Sequence, residues 1–205
     1  ASFFELKQRR DAVSWTLLLA LVPNALAAQP DNDVRLALRG VAESWAEPAV
    51  AAIYKGGAFS SGIAVVAPIH KSFFADIEFT YRKVEDEQER QQFEILPTTA
   101  IVGIHMPGPD NVNGYLGIGP SFVSWRESYP VRRGTEVMTG TKFTAEARAG
   151  VRFALDIIEP TMSGTGSPFQ AFELDIFGAR RVQPPIGSGL DLSAWRVGLG
   201  LTVVL

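Results

Sequence analysis

The C-terminal segment, from Ala194 to Leu205, alternates without a fault between apolar residues and small or charged ones. Successive side chains of a β-strand point to opposite faces, so this segment is predicted to be a strand with one wholly apolar face. The second face carries glycines, threonine and Arg196. The apolar face consists of Trp195, Val197, Leu199, Leu201, Val203 and Leu205.

The same two-residue period recurs in earlier stretches, which are separated by segments rich in glycine, proline and polar residues. Apart from the leader described below, no long apolar run and no sustained helical period appears. We therefore predict an all-β chain, an eight-stranded antiparallel up-and-down β-barrel. The predicted strands are 33–44, 59–69, 72–84, 92–106, 113–126, 140–156, 168–181 and 191–205. Strand 92–106 has an unclear register, and Pro97 within it predicts a bulge or an edge-like kink.

The composition and the N-terminal segment narrow the class of protein. The net charge of -3 argues against a nucleic-acid-binding protein, because phosphate binding needs a concentrated basic surface. Residues 1–28 are predicted to be an export signal peptide, with an N-terminal helix as the alternative: basic residues precede the apolar run 12–22, and Ala25-Leu26-Ala27 offers a cleavage site. The barrel would then occupy residues 29–205.

The two faces of the predicted strands differ in a way that indicates which one meets lipid. The polar faces are rich in glycine, which relieves crowding inside a narrow barrel and which a solvated outer face does not need. Aromatic residues lie near strand ends, as in the aromatic girdles of a membrane barrel. We therefore predict a transmembrane barrel with an apolar exterior. The predicted lipid-facing residues are Phe73, Ile77, Phe79, Phe143, Val151, Phe153, Trp195, Val197, Leu199 and Leu201.

The polar faces carry arginine and carboxylate residues in nearly balanced numbers, which predicts a network of ion pairs in the lumen, because buried charges persist when paired. Such a network could form an ion path or a gate. A salt-bridged plug is favoured, since an eight-stranded lumen filled by these side chains leaves little room for water. The predicted network residues are Arg35, Arg39, Glu43, Asp76, Glu78, Arg82, Glu146, Arg148, Arg152, Glu173, Asp175 and Arg196.

The predicted connections tend to be short at one rim and long at the other, which is typical of outer-membrane barrels. Residues 70–71 and 106–112 are the short turns, and 157–167 is an exception. The longer loops are 45–58, 85–91, 127–139 and 183–190.

With this strand number, this alternation and this signal-like leader, the chain resembles the small eight-stranded outer-membrane barrels of Gram-negative bacteria, the OmpA-like and OmpX-like group. The resemblance covers about 31–205 and implies short periplasmic turns, longer extracellular loops and an outer-membrane location. It implies contact with outer-membrane lipid and lipopolysaccharide, and recognition of the C-terminal strand by the barrel assembly machinery. Such barrels usually end in Phe or Trp, whereas this sequence ends in Leu205.

Candidate catalytic residues are few. His70 and His105 lie at the presumed periplasmic turns and are interpreted as interfacial or solvated turn residues. Lipid A-modifying barrels, by the family resemblance, place histidine near the outer rim, so that class is disfavoured. No metal site and no cofactor is predicted.

The leading hypothesis is a non-enzymatic barrel that serves as a structural anchor or presents surface loops to an extracellular ligand of unknown kind. Two alternatives stay open: a narrow channel for small or hydrophobic solutes, and a soluble lipocalin-like ligand-binding barrel with its apolar face inward.

Overall fold

A computed structural model describes residues 34–48, 51, 58–70, 72–85, 91–106, 108–109, 111–132, 134–155, 171–184 and 191–205. Within these residues, eight strands form a closed barrel in which each strand pairs antiparallel with its neighbours in the chain and β1 pairs with β8. The predicted all-β barrel is confirmed, and the predicted signal peptide lies outside the described residues. The strands are β1 Arg35–Trp45, β2 Ala58–His70, β3 Phe73–Glu85, β4 Gln92–Met106, β5 Val112–Val131, β6 Gly134–Ala154, β7 Ala171–Val182 and β8 Ala194–Val204.

The barrel has two different rims. At one rim, here called the terminal end, β1 begins and β8 ends, and Arg35 pairs with Val204. At the opposite rim, here called the loop end, Trp45 pairs with Ala194. Because the strand number is even, the chain enters and leaves the barrel wall at the same rim.

Strands β5 and β6 extend well beyond their neighbours at the loop end. The prediction of a loop over 127–139 is wrong, because the ladder between the two strands runs without a register shift from Val112 to the pair Val131–Gly134. By contrast, β4 pairs with β5 only as far as Ser128, and β7 pairs with β6 only from Ala145 onward. Gly134 has a φ of 126°, a left-handed conformation that favours glycine at the turn. We call residues 128–132 and 134–144 the projecting hairpin.

Pro97 does not produce the predicted bulge. On either side of it, Thr98 pairs with Phe79 and Ile95 pairs with Arg82, in one unchanged register. A proline removes one ladder hydrogen bond, and the strand tolerates that loss without inserting a residue. The register shift lies instead between β2 and β3, at Pro68 to His70, next to the short connection at the terminal end.

The start of β8 also differs from the prediction. Residues 191–193 are not part of the strand, because Leu192 and Ser193 turn inward at the loop end and are buried. Gln183 holds this segment: its backbone N–H donates to Ser193 Oγ at 2.9 Å, and its side-chain Oε1 accepts from Leu192 N at 3.1 Å. The same contacts explain why β7 leaves β6 after Val182.

Candidate functional site

The barrel wall separates an apolar exterior from a charged interior. Leu199 is 54% exposed and Trp195 is 63% exposed on the outside, whereas Glu146 and Arg196 on the inside are at most 1% exposed. This is the reverse of a soluble ligand-binding barrel. In the described part of the chain, no helix is long and apolar enough to cross a membrane. The outward face holds all ten residues predicted to face lipid: Phe73, Ile77, Phe79, Phe143, Val151, Phe153, Trp195, Val197, Leu199 and Leu201.

The apolar exterior has about the height of a bilayer core. On β3 the outward apolar side chains run from Phe73 to Tyr81, and Lys83 and Glu85 then form an exposed ion pair of 2.8 Å. At about 3.3 Å per residue and a strand tilt near 40°, that apolar stretch rises about 20 Å along the barrel axis. Outer-membrane barrels have apolar bands of about 25 Å.

The middle of the lumen is filled by ion pairs that cross from one side of the barrel to another. Arg39 on β1 donates to Asp76 at 3.1 and 2.7 Å, to Glu78 at 2.7 Å and to Asp175 at 3.2 Å. Arg148 on β6 reaches Asp76 at 3.2 Å and Glu78 at 3.1 Å from the opposite side. These five side chains therefore tie four strands together through charge-assisted hydrogen bonds.

A second group of contacts joins this network to β8. Arg196 donates to Glu78 at 2.7 Å and to Glu146 at 2.5 Å. Glu146 also accepts from Arg148 at 2.7 Å. All four side chains are buried, and each charge faces at least one opposite charge, which is the condition for keeping ions inside a protein.

Nearer the loop end, Glu43 is shared between arginines of three strands. Arg82 donates to it at 3.3 Å, Arg181 forms a short contact with it, and the Nε of Arg196 lies 3.7 Å away. Arg181 is absent from the predicted network. Its position on β7 has the same parity as Glu173 and Asp175, so alternation alone could have identified it.

An apolar cluster covers the ion pairs at the loop end. Trp45, Phe93 and Ile95 are at most 6% exposed there, and the ring centroids of Trp45 and Phe93 are 6.4 Å apart. Arg82 lies under this cluster with its guanidinium 4.7 Å from the Trp45 ring. The cluster was not predicted, because the register of β4 was unclear from the sequence. Its other members are Val84, Val123, Leu192 and Ala194.

At the terminal end of the lumen, one residue of the predicted ion-pair network has a different environment from the one expected. Arg35 on β1 pairs with Glu173 on β7 at 3.2 Å, across the intervening strand β8. Arg152, however, forms no ion pair with a carboxylate of the described residues, so within that part of the chain the prediction that it belongs to the ion-pair network is wrong. Its guanidinium lies instead over the rings of Phe74 and Tyr115, at 5.2 and 4.6 Å.

The two histidines occupy different environments. His70 is exposed at the end of β2. His105 is not a turn residue as expected: it lies in β4, half-buried, with its ring 4.8 Å from that of Phe74 inside the barrel. Among the described residues, no cluster of histidine and carboxylate side chains could hold a metal ion.

Glycines on the inward faces make room for the large interior rings. A Cβ on Gly150 would lie 2.5 Å from Cζ of Tyr115, and one on Gly198 would overlap the ring of Phe177. The Phe177 ring is held in turn between Arg148 and Arg39, at 4.5 and 5.3 Å from their guanidinium carbons. The predicted use of small residues to relieve crowding is therefore visible at these two positions.

No protein-family model matches the sequence, and no curated protein matches it. The structure is similar to Neisserial surface protein A, with a TM-score of 0.53 and 14% identity, covering 85% of this chain and 97% of that one. It is also similar to Ail, the attachment invasion locus protein of Yersinia pestis, with a TM-score of 0.50 and 12% identity, covering 84% of this chain and 96% of that one. The chain has the fold of the small outer-membrane β-barrels. At these identities the likeness extends to the fold alone, and the resemblance inferred from the sequence is confirmed at that level.

Proposed function

We propose that this chain is a non-enzymatic barrel of a Gram-negative outer membrane, which anchors itself through its apolar exterior and presents its projecting hairpin at the cell surface. The fold and the apolar band support the membrane location. Outer-membrane lipid would cover the band, and lipopolysaccharide would surround its loop-end edge. There, Arg180 stacks on Trp195 at 4.8 Å on the outside of the barrel.

The observation that carries this proposal is the projecting hairpin itself. It continues the ladder of β5 and β6 past the ends of β4 and β7, so it is a regular two-stranded ribbon. Val137 and Met138 on it are 46% and 48% exposed. Exposed apolar residues on a preordered element favour contact with a partner, because less conformational entropy is lost on binding. The extracellular ligand is unassigned.

The packing of side chains in the lumen favours a structural role over ion conduction. A permeating ion would have to pass the apolar cluster at the loop end and then displace the ion pairs below it. Both layers are packed by side chains that are almost wholly buried. The narrow-channel alternative therefore has less support than the anchor.

The histidine positions support a non-enzymatic role. The only two histidines of the sequence, His70 and His105, both lie towards the terminal end. A lipid A-modifying barrel would need such a group near the opposite rim.

We also propose that the barrel assembly machinery recognises the C-terminal strand, β8.

Cysteine labelling of intact cells tests the proposed placement. The sequence has no native cysteine, so each introduced one is unique. Met138→Cys on the projecting hairpin should react with a membrane-impermeant maleimide on intact cells. Asn111→Cys, exposed at the terminal end, is the matched control and should react only after the outer membrane is permeabilised. The reverse pattern, or labelling of neither site in a folded barrel, would contradict the proposal.

A further inference from the structure

Arg152 is a buried cation whose guanidinium N–H groups are unpaired among the described residues. The residue is 2% exposed, and its Nε, Nη1 and Nη2 atoms have no hydrogen-bond partner among the described residues. Arg82 also has two nitrogens without partners and Arg181 has one, but both residues bind Glu43. Arg152 binds no carboxylate of the described residues, so its charge is compensated less than theirs.

The carboxylates near Arg152 are already engaged. Asp175 is its neighbour across the β6–β7 ladder. One Asp175 oxygen accepts from the Tyr115 hydroxyl at 2.9 Å, and the other accepts from Arg39 at 3.2 Å. Glu173 faces Arg35 at 3.2 Å. Among the described residues, each of these two carboxylates thus has a partner other than Arg152.

The aromatic rings around Arg152 cover only the faces of its guanidinium. Phe74 and Tyr115 lie 5.2 and 4.6 Å from the guanidinium carbon and stand edge to face with each other. Stacking of this kind uses the flat face of the cation and leaves the N–H groups of its rim free. That rim matches two oxygens of a carboxylate or phosphate in a bidentate arrangement.

Side chains at the terminal end of the lumen, around Arg152, keep part of their surface in contact with solvent. Arg35 and Glu173 at this mouth keep 21% and 11% of their side chains exposed, and His105 beside Phe74 is half-buried. The Arg35–Glu173 contact is within ion-pair distance, but neither Arg35 Nε nor Glu173 Oε2 has a hydrogen-bond partner, so it is poorly aligned. Arg35 is thus available as a second cation for an incoming anion.

We propose that the terminal end of the lumen binds a small oxyanion, held in a bidentate manner by Arg152 and assisted by Arg35. A free phosphate and the phosphate of a lipid headgroup share this chemistry. Spherical chloride lacks the paired oxygens that the guanidinium rim selects.

The test uses the full barrel refolded in lauryldimethylamine oxide, a detergent without phosphate, with arginine side chains labelled with ¹⁵N. Sodium phosphate is titrated at constant ionic strength against sodium chloride. We expect the Nε–H signal that disappears in Arg152→Lys to shift saturably with phosphate and not with chloride. By calorimetry, Arg152→Lys should bind phosphate about tenfold more weakly, since lysine keeps the charge but lacks the bidentate rim.

Arg126→Lys, on the exposed exterior, is the matched control and should bind phosphate like the unmodified chain. A parallel titration with a short-chain phosphatidylglycerol separates the two sources: a shift with this lipid alone assigns the site to a headgroup, and a shift with inorganic phosphate assigns it to the free ion. If Arg152→Lys does not fold, Arg35→Lys must weaken binding instead. Absence of a saturable shift with either phosphate source, or equal binding by the lysine variants, would overturn the proposal.

Discussion

Arg39 on β1 and Asp76 on β3 form a bidentate pair across the lumen, with Nη1–Oδ1 and Nη2–Oδ2 distances of 3.1 and 2.7 Å. The two strands are not neighbours in the sheet, since β2 lies between them. The pair therefore braces the wall in a way that the backbone ladder cannot.

Removing one member of this pair should destabilise the barrel strongly. Arg39→Met leaves Asp76 buried with reduced compensation, at a cost of roughly 3–5 kcal/mol in the free energy of unfolding. In Arg39→Met/Asp76→Asn part of that loss should be recovered, because the uncompensated charge is removed as well. Urea unfolding in lipid vesicles measures the free energy of unfolding of the single and double variants. Strictly additive effects would contradict direct coupling.

Glu43 should matter far more than a carboxylate in an exposed pair. Glu43→Gln removes the charge that Arg82 and Arg181 share, and we expect a loss of roughly 3–5 kcal/mol. Glu85→Gln breaks the exposed pair with Lys83 and should cost less than about 1 kcal/mol. The same unfolding measurement compares the two variants. Equal losses would mean that the loop-end arginines do not depend on Glu43.

The glycines inside and outside the wall should respond differently to one added methyl group. Gly198→Ala pushes a Cβ against the Phe177 ring, which two arginines hold in place, and should cost about 1–3 kcal/mol. Gly178→Ala on β7 meets nothing within 4 Å and should change stability by at most about 0.5 kcal/mol. The temperature at which the folded gel band converts to the unfolded one reports the difference. A neutral Gly198→Ala would show that the interior is loosely packed.

Alternation predicted most of the fold because it is a geometric property of a strand. It put Arg39 and Glu146 on the polar faces and Leu199 on an apolar face, and the glycines and aromatic residues then indicated which faces meet lipid. Contacts across the lumen could not be predicted in this way. The partners of Arg39 lie on β3 and β7, and only the closed barrel brings those strands face to face.

The errors have physical causes as well. The part of the projecting hairpin up to Thr139 was predicted to be a loop because it is rich in threonine, glycine and charged residues and contains Pro130, which are signals of turns. The apolar cluster at the loop end breaks the rule that the interior is polar. Neither Phe93 nor Ile95 was assigned to a face from the sequence, because the register of β4 was unclear, and the structure places both inside.

The barrel should not conduct ions in a planar bilayer. The apolar cluster and the ion pairs close the lumen in two successive layers, so the unmodified chain should give no current above the lipid background. The double variant Trp45→Ala/Phe93→Ala removes part of the apolar cluster at the loop end. It should also give no current, because the ion pairs around Arg39 and Asp76 still fill the lumen. Stable single-channel steps in the unmodified chain would favour the channel alternative.

The orientation of the wall is tested most directly by a single cysteine at Leu199, in the middle of the outward face of β8. The variant Leu199→Cys is reconstituted in lipid vesicles and treated with a water-soluble, membrane-excluded maleimide and with a lipid-soluble one. Met138→Cys on the projecting hairpin serves as the exposed control. We predict that Leu199→Cys reacts only with the lipid-soluble reagent, whereas Met138→Cys reacts with both. Rapid reaction of Leu199→Cys with the water-soluble reagent would contradict a barrel that turns its apolar face towards lipid.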